Sequence, residues 1–273
     1  MSIQHVTILC FGASYAVAFG LEALQASRPT KMMGFLSAAV MGAGLVAHTV
    51  FLVAQHPALR SQSGLLLYLA WILAVFSFVG AIHHHRQAWG VFVLPIVLIL
   101  VVLASLMGKL VSAGQSAGAE DVQTGALWLK LHVLLFVLAA TGISVAFVAS
   151  IMYLVQAGRL KAKALPTEGL RVLSLERLER MNRLGIVLAF PLLTVGALIG
   201  LALLIKERDR LTGWTDSRII ASLLLLIVFG MVLYLRRGFR VRGRRVALVT
   251  IMAFAILLLS LVTSHSFLPG GGP

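Results

Sequence analysis

Charge and cysteine are both scarce in this chain. Only 12% of its 273 residues are charged, and just nine are acidic. Water-soluble domains carry about a quarter charged residues, so a soluble globular domain of this size is excluded for want of a polar surface. The single cysteine, Cys10, lies inside the first apolar run. That rules out an intrachain disulfide and a cysteine-rich metal centre. No acidic residue stands deep within an apolar run, Glu22 being near the end of the first, and no internal repeat is evident. Both absences weigh against an ion or small-molecule transporter.

What the chain has instead is apolar length. Sixty per cent of the residues are hydrophobic, mean hydropathy is +0.99, and eight stretches reach the roughly 20 residues a spanning helix needs. They run over about 5–25, 34–54, 64–84, 89–112, 127–156, 183–205, 217–235 and 246–267. The expected fold is therefore all-α, a polytopic transmembrane bundle of eight helices with both termini on one side. It divides into an N-terminal half, 1–115, and a C-terminal half, 116–273. The first run has no basic leader and no evident small-residue cleavage site, so it reads as a retained helix.

The net charge of +14 reports topology before it reports a nucleic-acid partner, and none is expected. Sixteen of the 23 basic residues fall in loops on one side, mostly between Arg159 and Arg183 and between Arg236 and Arg245, against seven on the other. Basic residues are retained in the cytoplasm. Both termini are accordingly expected outside. The segment 166–182, which opens on Pro166 and sets Leu170, Leu175 and Leu178 among charges, reads as an amphipathic interfacial helix. Pro95 and Pro191 fall inside spans, and Gly196 and Gly200 form a small-xxx-small spacing that permits close helix approach.

Eight histidines are the chemical inventory. His83, His84 and His85 sit beside Arg86 at a span end and read as an interfacial cap before a metal site; His5 and His56 belong to outer loops. His48 is the deepest, either a helix–helix hydrogen-bonding group or part of a functional site. His132 lies about 8 Å into the fifth span at 1.5 Å per residue, and His265 lies close to the outer end of the eighth. They reach similar depth on the outer side. Two readings fit: interfacial histidines bonded to loop carbonyls, or a pair of axial ligands to a haem iron. With no Cys-x-x-Cys-His motif, such a haem would be held non-covalently.

The outer loop KERDRLTGWTDSR adds Trp214, Asp216, Arg208, Arg210 and Arg218 on that same side. Trp214 suits an interfacial anchor and Asp216 a helix cap. Equally, an indole stacks on a porphyrin face while guanidinium groups pair with propionates.

Four segments, in order, resemble the haem-handling cytochrome c assembly family in its CcsA/YpjD/HemX-like branch. LHVLLFVLAATGISVAFVASIMYLVQ resembles the helix that the family opens with an external histidine, here matched by His132. LSLERLERMNRLGIVLAFPLLTVGALIG resembles the stretch that follows it. GWTDSR stands where the family has its tryptophan-rich WWD loop, reduced here to Trp214 and Asp216. RRGFRVRGRRVALVTIMAFAILLLSLVTSHSF resembles the Arg-Gly-Arg-Arg loop, last span and second external histidine, matched by His265. The likeness covers about 127–267; over the first four helices it extends to layout, His48 resembling the histidine of the second helix.

The resemblance implies an inner-membrane protein that binds haem b non-covalently through His132 and His265 and takes part in haem handling for cytochrome c assembly. Holding and orienting the cofactor, rather than turnover, is the role it implies. The further histidine of cytochrome c synthetases is replaced here by Tyr234-Leu235-Arg236, and a separate periplasmic assembly partner is expected to complete any ligation. Beside membrane lipid and haem, that partner is the one the sequence leads us to expect. The rival from another class is a membrane scaffold or regulator that keeps the fold and has given up haem; a transporter using His48 comes third.

Overall fold

A computed structural model describes residues 7–27, 30–57, 61–83, 89–114, 126–162, 173–206 and 243–263, together with 223–224, 226–228, 230–231 and 234. All the regular structure among the described residues is helical. The helices are α1 (Ile8–Ser27), α2 (Lys31–Gln55), α3 (Gln62–His83), α4 (Trp89–Gly114), α5 (Ala126–Lys161), α6 (Leu175–Lys206) and α7 (Arg244–Thr263). Six of them, α1 to α6, are long and apolar enough to cross a membrane. Their outward side chains are large and greasy, Leu9, Phe35, Val46, Leu188 and Leu198 among them. Exposed side chains of this kind are stable against acyl chains, not against water. The isolated residues described between 223 and 234 are helical too; most of the expected seventh span lies outside the described residues.

Local chemistry explains where the helices begin and end. Thr30 caps α2, its hydroxyl accepting from the Met33 amide at 3.3 Å. Ser61 does the same for α3, accepting from the Gly64 amide at 3.0 Å. Arg159 and Lys161 stand in the last turn of α5, where cations complement the helix dipole. Pro95 and Pro191 sit inside α4 and α6 without ending them. The expectation of a separate interfacial helix over 166–182 is corrected for its second half: residues 175–182 are the opening turns of α6, a helix of 32 residues. Neither glycine nor proline interrupts the chain between Leu175 and Gly185, so the charged turns run straight into the apolar span. Residues 166–172 lie outside the described residues.

The chain divides into two compact units, one of Met1–Leu110 with Ile151–Leu178 and the other of Val111–Ser150 with Glu179–Pro273. In the first, α1 and α2 are antiparallel: Tyr15 meets His48 at one end, while the Ser37 hydroxyl donates to the Glu22 carboxylate at 3.1 Å towards the other. The face of α2 that carries Ser37, Met41, Gly44, His48 and Leu52 is buried, a spacing of three and four residues that keeps one stripe of the helix inward. Trp71 of α3 donates to the Thr49 hydroxyl of α2 at 2.9 Å. In the second unit, α5 and α6 run antiparallel and so close that a Cβ added at Gly185 would lie 2.5 Å from the Gly142 carbonyl oxygen. Asn182 ties three helices there. Its amide nitrogen lies within hydrogen-bond distance of the Ala146 carbonyl at 3.0 Å, the Ser150 hydroxyl at 2.8 Å and the Thr250 hydroxyl of α7 at 3.1 Å. Phe147 of α5 stacks on Phe254 of α7 with centroids 4.1 Å apart.

Candidate functional site

Of the residues that the sequence groups around a cofactor, the structure describes two. His265, Trp214, Asp216, Arg208, Arg210 and Arg218 lie outside the described residues, so the candidate site is built here from His132, with His48 as the contrasting case.

His132 stands in the second turn of α5. Leu127, Trp128 and Lys130 around it are exposed, and the histidine itself is half-buried. Its Nδ1 lies 2.7 Å from the carbonyl oxygen of Gly196 on α6. A carbonyl only accepts, so Nδ1 carries the proton and donates. In the neutral ring the lone pair is then on Nε2, which has no hydrogen-bond partner among the described residues. A backbone carbonyl holding one imidazole nitrogen while the other is left bare is the usual outer support of a metal-ligating histidine. The same bond also satisfies half of what a purely structural histidine would want. What distinguishes the two is the second nitrogen.

The neighbouring helix is shaped for that ring. A Cβ added at Gly200 would lie 2.8 Å from Cε1 and 3.0 Å from Nδ1 of His132, closer than real Cβ contacts come, whereas one added at Gly196 would meet nothing nearer than 3.5 Å. The small-xxx-small spacing thus does more than bring two helices together. Gly196 supplies the acceptor, and the missing side chain of Gly200 leaves the room that the imidazole fills. Sequence inspection finds the pair of glycines but gives no sign that a histidine 64 positions away occupies the groove.

His48 belongs to the other unit and its ring is fully buried. One face stacks on Phe11 with centroids 4.1 Å apart and planes 3° from parallel, and Nδ1 lies 3.2 Å from the Tyr15 hydroxyl. Nε2 is buried with no partner among the described residues. The helix–helix contact that the sequence allows for His48 is therefore formed, with a tyrosine as the partner. Gly44, one turn before it, makes room for Tyr15: an added Cβ would lie 3.1 Å from the tyrosine ring. His83 donates locally, from Nδ1 to the Val79 carbonyl oxygen at 3.1 Å, while His5, His84 and His85 lie outside the described residues. Among the described residues no three His, Cys, Asp or Glu side chains converge as a metal site would need.

The family model for the cytochrome C assembly protein matches residues 60–270. This chain belongs to that family. Within the cytochrome c assembly family it is similar to Protein HemX of Bacillus subtilis (strain 168), 23% identical over 261 residues that cover 94% of this chain and 92% of that one. It is similar to Protein HemX of Brevibacillus brevis at 27% over 268 residues, 94% and 93% of the two chains. An uncharacterized 28.8 kDa protein in the nifR3-like 5' region of Azospirillum brasilense is 28% identical over 230 residues, covering 83% and 82%. No solved structure matches. Family membership and six span-length helices make the chain a multi-pass membrane protein with a role related to cytochrome c assembly.

Proposed function

We propose that this is an eight-helix inner-membrane protein with both termini outside, which holds haem b near its outer face for cytochrome c assembly. His132 and His265 are the axial ligands in this reading. Trp214 is the stacking wall, Arg208, Arg210 and Arg218 pair with the propionates, and Asp216 orders the loop that carries them. The protein positions haem as cargo, and a separate periplasmic protein receives it. The observation that carries the reading is the His132 imidazole, donating from Nδ1 to the Gly196 carbonyl, with no partner for Nε2 among the described residues. The donor chemistry fits, because an imidazole Nε2 is a strong axial ligand and a bond at Nδ1 raises its basicity. The His48 ring is enclosed by Phe11 and Tyr15.

An absorbance spectrum tests this, oxidised and dithionite-reduced, on protein purified in detergent from haem-sufficient cells. The wild type is expected to show the sharp reduced bands of a six-coordinate b-type haem, and the His132→Ala/His265→Ala variant to lose them. A wild type that stays colourless after haem has been supplied during purification overturns the haem reading and leaves the scaffold as the function of the fold.

A further inference from the structure

The groove on α6 does a job that the haem reading alone does not require. We infer that Gly200 and the Gly196 carbonyl are the positioning elements that fix His132 in one tautomer and one ring plane, so that Nε2 is its only ligating atom. The inference rests on the haem reading for its purpose, and on the geometry of α5 and α6 for its content.

Two independent features of the groove act on the same ring. The Gly196 carbonyl accepts from Nδ1 at 2.7 Å, which decides which nitrogen holds the proton. Gly200 lies beside Cε1 and Nδ1, where a methyl group would stand 2.8 and 3.0 Å away, which decides where the ring can lie. Neither feature suffices alone. A carbonyl partner without a snug wall lets the ring swing about its Cβ–Cγ bond, and a wall without an acceptor leaves both tautomers open. Free imidazole side chains exchange tautomers readily, so a histidine that must present one nitrogen is held by what its other nitrogen bonds. Position 200 is also an awkward place for glycine on other grounds. In the middle of a helix it is the least favourable residue after proline, and α6 continues for six residues beyond it. Alanine would serve the helix better but would push the imidazole off the Gly196 carbonyl. Because the clashing atoms belong to a side-chain ring rather than to backbone, the ring moves and the helices stay.

The test compares wild type, Gly200→Ala and Gly158→Ala, each as the full chain in detergent with 15N-labelled histidine. The His132 signals are identified by their loss in His132→Ala. Haem-free wild type is expected to show His132 with a protonated Nδ1 and a bare Nε2. Gly200→Ala is expected to show a tautomer mixture and to bind haem about 10-fold more weakly, the lower range for losing a support of a metal-bound histidine. Gly158→Ala lies on the same helix as His132, with nothing within 4 Å of an added Cβ, so it should match wild type in both readouts. A Gly200→Ala/His132→Ala protein that melts no lower than His132→Ala shows that the substitution is tolerated by the fold. Two results overturn the inference: a protonated Nε2 in wild-type His132, or an unchanged tautomer in Gly200→Ala. A wild type with the expected tautomer that takes up no haem leaves this assignment standing and overturns the haem reading instead.

Discussion

In the α1–α2 pair the histidine is enclosed: Phe11 covers a face of His48, the Tyr15 hydroxyl meets its Nδ1, and the residue has no exposed surface. In the α5–α6 pair the histidine is presented: His132 is half-buried, tied at Nδ1 to a backbone carbonyl, with no partner for Nε2 among the described residues. Both pairs are antiparallel and both place a glycine of one helix against an aromatic ring of the other. The difference lies in which ring the glycine admits. Gly44 admits the tyrosine that closes over its own helix's histidine, and Gly200 admits the histidine itself. A polar residue inside a membrane protein is a functional candidate by default. These two pairs show that the default is refined by asking which of its atoms remain unpartnered and whether anything can reach them.

The severest way to break the contrast is to separate α5 from α6. An added Cβ at Gly185 already falls 2.5 Å from the Gly142 carbonyl and 3.0 Å from the Ala146 side chain, and the first of these is backbone that has nowhere to go. Gly185→Leu is expected to cost more than ~3 kcal/mol, the upper part of the range for overpacking, and to remove the His132–Gly196 bond along with the helix contact. Thermal unfolding in detergent, followed by circular dichroism, measures it. A melting temperature equal to that of wild type would mean that the two helices do not cross at these glycines.

A smaller effect sharpens the comparison, because it has opposite signs for stability and for haem. His48→Ala empties a sealed pocket between Phe11 and Tyr15 and is expected to cost about 3 kcal/mol, as other large-to-small changes in a core do. His132→Ala loses one hydrogen bond at a half-exposed site and is expected to cost about 1 kcal/mol. On the proposed haem reading, reduced haem bands should follow the reverse order, lost in His132→Ala and kept by folded His48→Ala protein. A His48→Ala protein that is as stable as wild type yet colourless would move His48 into the ligand set.

Much of this was legible from the residues and some was not. The six span-length helices follow from runs of apolar residues, because in a bilayer every backbone group must be satisfied within its own helix and a run of about 20 leaves few alternatives. Their ends were less legible. The charged segment before α6 reads as an interfacial helix on composition, yet residues 175–182 are continuous with the span, since composition alone does not mark where a helix starts when no breaker intervenes. At the site, depth counting brought out His132 as a residue of interest. It did not bring out Gly196 and Gly200 as its seat, because that pairing depends on the register of α5 against α6, and glycine spacing says that helices approach without saying what lies between them. Asn182 was missed for a related reason. A single asparagine among LERLERMNRLG looks like one more polar residue of a charged turn, and only the antiparallel register brings Ser150 and Thr250 around it.

The smallest expected effect concerns the lid on His48. The Tyr15 hydroxyl and His48 Nδ1 are 3.2 Å apart, near the long end of the range for such bonds, and interhelical hydrogen bonds within membranes average only about 0.6 kcal/mol. Tyr15→Phe keeps the ring that packs against Gly44 and His48 and removes the hydroxyl alone, so it should lower stability by about that amount. The ring of His48 would then have neither nitrogen partnered among the described residues. If the hydroxyl is what orients His48, the Tyr15→Phe protein should show a changed pattern of 15N signals from that histidine while those of His132, fixed by α6 in the other unit, stay as they are. Changes at both histidines would mean that the two pairs are not independent, and the division between an enclosed and a presented imidazole would have to be redrawn around whatever links them.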